Sequence, residues 1–169
     1  MPEPIRHTEN RGQIETLLRR IPGFRGYLEK EYRRESDELQ REWLADRLQR
    51  SKRGLDAYAL QLADAAKIDT LPMVDRLRSR LDRLISRIRG AMQGYSGFFD
   101  LVQVDEALLD RVYEYDVALM EDVATLADQI DALAGRAEEA DQLVPPLLGE
   151  IQKIEEAWDR REDVLKGLE

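Results

Sequence analysis

The chain has 169 residues, 43% hydrophobic and 36% charged, with no cysteine, one histidine and a formal net charge of −9. That length can bury a core of its own without a metal or disulfide staple. The lack of cysteine excludes disulfides, thiolate zinc sites and a cysteine nucleophile.

In chain order, the apolar spacing is helical throughout, and no segment alternates like a strand. The first element is expected from Thr8, a candidate N-cap, to Ile21, with Ile14, Leu17, Leu18 and Ile21 on one face. IPGFRG turns the chain. A long second helix follows over Tyr27 to Lys67, with Leu28, Tyr32, Leu39, Trp43, Leu44, Leu48, Leu55, Tyr58 and Leu62 inward. Gly54 lies inside it at a cost of about 1 kcal/mol relative to Ala. Leu48, Leu55 and Leu62 keep a seven-residue spacing across that glycine, so the helix reads as continuous and about 60 Å long. IDTLP makes the next turn, with Thr70 as a candidate cap and Pro72 in the first turn, where a missing N–H does no harm. The third helix carries Leu77, Leu81, Leu84, Ile88 and Met92.

The fourth helix is expected from Asp105 to Ala137 or beyond. Its seam is Leu108, Val112, Tyr115, Leu119, Val123, Leu126, Ile130 and Leu133, a 3-4 spacing that signals knobs-into-holes packing. Asp100 and Asp105 are candidate caps before it. Tyr95, Phe98 and Phe99, in the preceding turn, are placed at a bundle end where they would plug the core. Pro145-Pro146 opens a fifth helix with Leu148, Ile151, Ile154, Trp158 and Leu165 on one side. The expected fold is all-α: an elongated antiparallel four-helix bundle of two hairpins with coiled-coil-like packing, plus a short N-terminal helix. The domain is 8–169, after a flexible 1–7.

Charge divides along the chain. Residues 1–100 hold 20 Lys and Arg against 16 Asp and Glu, a net of +4; residues 101–169 hold 6 against 19, a net of −13. Basic and acidic helices lying side by side is the favoured reading. The third helix presents a stripe of Arg76, Arg80, Arg83 and Arg87, widened by Arg78 and Arg89. Its expected partners are Glu114, Glu121 and Asp128 on the fourth helix. The alternative use is an anionic membrane surface. A pI near 4.8 argues against nucleic acid.

Catalytic constellations are sparse. A ferritin-like di-metal site needs Glu-x-x-His motifs, and the single histidine is His7. Asp110, Glu114, Glu121 and Asp128 on one flank offer oxygen ligands for Mg²⁺ or Mn²⁺, against the simpler reading of a solvated acidic face. None of the five serines sits in a nucleophile elbow, and GYSG lacks a P-loop lysine. No cofactor is expected. No run reaches the roughly 18 apolar residues of a membrane span, and MPEPIRHTENRG lacks the apolar centre of a secretory signal, so the expected location is cytoplasmic.

Two stretches, IPGFRGYLEKEYRRESDELQREWLADRL (21–48) and GYSGFFDLVQVDEALLDRVYEYD (94–116), resemble segments of a family of bacterial helical proteins encoded near envelope-stress and stomatin-type membrane proteins. The resemblance covers under a third of the chain. It implies a cytoplasmic or inner-membrane-peripheral scaffold and assigns no residue a catalytic role. The expected function is a non-enzymatic scaffold or adaptor that self-associates, because the long seams of the second and fourth helices exceed what shorter helices cover. The alternative is a peripheral stress-response effector using the arginine stripe and the Tyr95, Phe98, Phe99 tip. A carboxylate-metal enzyme is a distant third.

Overall fold

The computed structural model describes residues 4–90 and 105–166, with side chains from residue 11 onward. Tyr95, Phe98 and Phe99, with Met92, Ser96 and Asp100, lie outside the described residues.

Among the described residues five helices carry the fold: α1 (Pro4–Arg20), α2 (Lys30–Asp64), α3 (Leu71–Gly90), α4 (Glu106–Asp131) and α5 (Ala140–Lys166). Short 3₁₀ turns at Ile68–Thr70 and Ala137–Glu139 precede α3 and α5. No strand occurs among the described residues.

Several boundaries differ from expectation for local reasons. α1 begins a turn early, with Pro4 in its first turn, so Thr8 lies inside the helix and does not cap it. Thr70 closes its 3₁₀ turn by donating its hydroxyl to the Lys67 carbonyl at 2.6 Å. α4 starts as expected: the Asp105 carboxylate accepts from the Leu108 N–H at 2.8 Å. It stops at Asp131, and the chain then reaches Gly135, whose φ of 78° lies in the left-handed region. α5 begins at Ala140, so Pro145 and Pro146 sit within it and do not open it. Both prolines are exposed on its outer face.

α2 is continuous through Gly54. A Cβ there would stand 2.8 Å from the Asp131 Oδ1 but 3.6 Å from its Cα, so what it would crowd is a half-exposed carboxylate and not the α4 backbone.

The helices form two antiparallel hairpins, α2–α3 and α4–α5, laid side by side. α2 packs on α3 and α4, α5 packs on the same two, and α3 and α4 face each other across the diagonal. α1 folds against α4 near one end. The apolar interior is divided in two. The larger core holds Leu44, Leu48, Leu55, Tyr58 and Leu62 of α2 with Leu77 to Ile88 of α3, Leu119 to Ile130 of α4 and Val144 to Trp158 of α5. The smaller core holds Leu17, Ile21, Phe24 and Tyr27 with Leu109, Val112, Tyr113, Met120, Val164 and Leu165. Trp43 packs against both.

Candidate functional site

On each bundle helix one row of buried residues advances in alternating three- and four-residue steps, and between the two cores that row lands on charges. On α4 the buried series is Leu109, Val112, Asp116, Leu119, Val123, Leu126 and Ile130. Leu108 and Tyr115, expected inside, are only half-buried, and Asp116 takes the seam position. On α5 the series runs Val144, Leu147, Ile151, Ile154, Trp158, Arg161 and Leu165, leaving Leu148 half-buried. On α2 it is Asp37, Arg41, Leu44, Leu48, Ser51, Leu55, Tyr58 and Leu62. Leu28, expected inward, lies before the helix and is 73% exposed.

Asp37, Arg41, Asp116 and Arg161 are each 0% exposed and form one layer. Arg161 donates Nε to Asp116 Oδ1 at 2.6 Å and Nη2 to Asp37 Oδ1 at 2.7 Å. Arg41 donates Nε to Asp37 Oδ2 at 2.6 Å, Nη2 to Glu162 Oε1 at 2.7 Å and Nη1 to the Ile88 carbonyl at 3.3 Å. Three helices are thereby tied, with the α3 end reached through Ile88. Both guanidinium groups also lie over the Trp158 ring, at 4.7 and 5.3 Å from its centroid, where the ring quadrupole attracts a cation.

Tyr27 reaches the layer from the α1–α2 turn. Its hydroxyl donates to Asp116 Oδ2, and Arg161 Nη2 lies 3.3 Å from the same hydroxyl. Its backbone N–H donates to the Tyr113 hydroxyl at 2.7 Å. This approach requires Gly26, which has a φ of 87° and whose Cβ would lie 2.7 Å from the Tyr113 oxygen.

Burial pushes the Asp116 carboxyl above the usual carboxylate range, with the Arg161 charge and hydrogen bond and the Tyr27 hydroxyl pulling the other way. Burial alone would lower the Arg161 guanidinium, but Asp116 and Asp37 beside it hold it well above its ordinary value, so it stays cationic. Burial and the neighbouring Asp116 keep the Tyr27 phenol protonated well past its usual range. The arrangement holds opposite charges in place rather than poising one to give up a proton. Arg161 Nη1 makes no hydrogen bond and has only the ion-pair contact with Glu162 Oε1 at 3.7 Å, and the buried Gln40 amide, next to Arg41 in the chain, makes none either.

The surface candidates fare differently. α3 does not pack against α4, so the arginine stripe does not meet Glu114, Glu121 and Asp128 as expected. It pairs with α5 instead: Arg80 with Glu155 at 2.9 Å and Arg87 with Asp159. Arg78 and Arg89 pair with Asp56 and Asp46 of α2, at 2.6 and 3.1 Å. Arg76 and Arg83 are exposed. Asp128 pairs with Arg47 of α2 at 2.7 Å. Among the described residues no group of acids or histidines converges to hold a metal, so Asp110, Glu114, Glu121 and Asp128 do not form the oxygen-ligand set considered above. Nor is any described helix long and apolar enough to cross a membrane.

The first quoted stretch, 21–48, and the described part of the second, 105–116, meet in the structure. Tyr27 meets Tyr113 with ring centroids 5.2 Å apart. Beside them a groove of about 240 Å³ opens between α1 and α4, with Ile14, Leu28, Leu109 and Tyr113 as its apolar lining and Arg11, Glu106 and Asp110 as its charged ones.

Comparison with protein-family models, curated proteins and solved structures finds no match to this chain. No relative therefore carries a function or a residue role over to it, and the function rests on its own geometry.

The charge layer does not stand out in the sequence, because most acids and arginines of these helices lie on their flanks. The signal was present. Counting 3-4 steps through polar residues places Asp116 between Val112 and Leu119, and Arg161 between Trp158 and Leu165.

Proposed function

We propose that this chain is a non-enzymatic scaffold or adaptor that pairs with a second copy of itself through the groove between α1 and α4. One observation carries the reading: a 73% exposed Leu28 stands at the lip of an apolar groove with charged residues beside it, an apolar centre and polar rim being the anatomy of an interface. Knob and hole lie on one face, as a two-fold contact requires. Leu28 of each copy enters the other's groove, and Arg11 of each meets Glu106 and Asp110 of the other. The seams themselves do not support pairing, since α4 is covered from Leu109 to Ile130 within the chain.

A cytoplasmic, bacterial setting belongs to the same proposal, and its bacterial part rests on the segment resemblance alone. The membrane alternative draws less support, because Arg80 and Arg87 of its stripe are engaged with Glu155 and Asp159. Sedimentation equilibrium over a tenfold concentration range tests the reading. The expected result is a mass of two chains, reduced to one by Leu28→Asp with the circular dichroism spectrum unchanged. A wild-type chain monomeric across the range refutes it.

A further inference from the structure

The smaller core is built unevenly, and that unevenness has a dynamic consequence. Of the described α1 residues 11–20, Leu17 alone is buried, while Leu18 is 47% exposed. Gly12 sits within the helix with nothing near its would-be Cβ, so it weakens the helix without aiding packing. Gln13 Oε1 is buried without a partner, a group whose desolvation opposes docking. Four apolar anchors, Leu17, Ile21, Phe24 and Tyr27, hold the segment, and the turn between α1 and α2 contains two positive-φ glycines, Gly23 and Gly26.

Beneath this segment the bundle is tied without it. The Arg161–Asp116, Arg161–Asp37, Arg41–Asp37 and Arg41–Glu162 pairs run only among α2, α4 and α5. Lifting Tyr27 removes one donor from Asp116 Oδ2, which then meets water, and frees the Tyr113 hydroxyl; it also gives up the bonds from Arg33 to the Tyr27 and Leu28 carbonyls and from the Arg25 N–H to Ser36. None of these losses breaks a link between the bundle helices.

We propose that α1 and the turn through Leu28 form a displaceable strap, which opens as a unit while α2–α5 remain folded. The ionic layer is the floor at which opening stops, and the Tyr27 N–H to Tyr113 hydroxyl bond is its latch. Its consequence rests on the self-association reading: Arg11, Ile14 and Leu28 form one wall of the groove, so an open strap has no groove to offer a second copy. The opening itself does not depend on that reading.

Native-state hydrogen exchange on the full chain tests it, with wild type compared with Tyr113→Phe, which removes the latch acceptor and keeps the ring. Strap amides in residues 13–27 should exchange at least about a hundredfold faster than protected amides around Leu48, Leu81 and Leu126, as a locally opening unit does. Tyr113→Phe should speed the strap amides a further tenfold or so, the loss of about one hydrogen bond, and leave the others within about twofold. Strap and core amides exchanging together, or accelerated equally by Tyr113→Phe, overturn the proposal. A monomer with an opening strap removes only the self-association reading, and a dimer whose strap exchanges with the core removes only this one.

Discussion

Asp116→Ala is the most informative single change. It removes the acceptor of Arg161 Nε and of the Tyr27 hydroxyl, at a position with no exposure to water. Arg161 keeps Asp37 but loses half of its compensation, and its charge cannot be neutralised, because a guanidinium does not deprotonate. Breaking a buried pair by removing one partner costs about 3 to 5 kcal/mol, a large share of the 5 to 15 kcal/mol that holds a domain together. With a urea m-value of about 2 kcal/mol/M, the midpoint should fall by about 2 M. Trp158, stacked under both guanidiniums, supplies a fluorescence signal for the transition. The rim pair is the control: Arg87→Ala breaks a contact with exposed Asp159 and should cost less than about 1 kcal/mol. An Asp116→Ala loss as small as that of Arg87→Ala would refute the reasoning, since the layer would then behave as a solvated pair.

Three further changes probe separate parts of the structure. Gly54→Ala should stabilise by about 0.5 kcal/mol in urea titrations, because the helix gains and the half-exposed Asp131 carboxylate can swing away from the new methyl. Gly26→Ala should destabilise by about 2 kcal/mol or more, its left-handed φ and the Tyr113 oxygen both opposing a Cβ; denaturation of Gly26→Ala with and without Tyr113→Phe separates the two terms, since only the contact is relieved. The Asp116 carboxyl is raised from 3.8 by burial, so its contribution is fully present below that value and is lost as pH rises through the folded value. The wild type should therefore gain stability relative to Asp116→Asn as pH falls from 7 towards 4, and urea midpoints at several pH values check the sign.

Helix number, hairpin pairing and the α4 cap were legible because periodicity, proline and glycine act locally. Gly54 is tolerated as the spacing across it implies, and the carboxylate that faces it, Asp131, lies in another helix. The partner of the arginine stripe was not legible: charge complementarity pairs α3 with α4 as readily as with α5, and only the packing shows the first two to be diagonal. Asp116 and Arg161 were hidden differently. A charge in a heptad seam reads as an error until its partners on other helices are in view, and those partners are distant in sequence. Apolar spacing alone starts the second helix at Tyr27, but the positive-φ Gly26 before it turns its backbone N–H to Tyr113.

The buried layer can be tested directly by a double-mutant cycle between Asp116 and Arg161, using Asp116→Ala and Arg161→Met, which retains an apolar stem against Trp158. A coupling energy of about 2 to 3 kcal/mol from urea denaturation is expected for two groups in one buried network. A coupling below about 0.5 kcal/mol, the range of independent sites, would contradict the account.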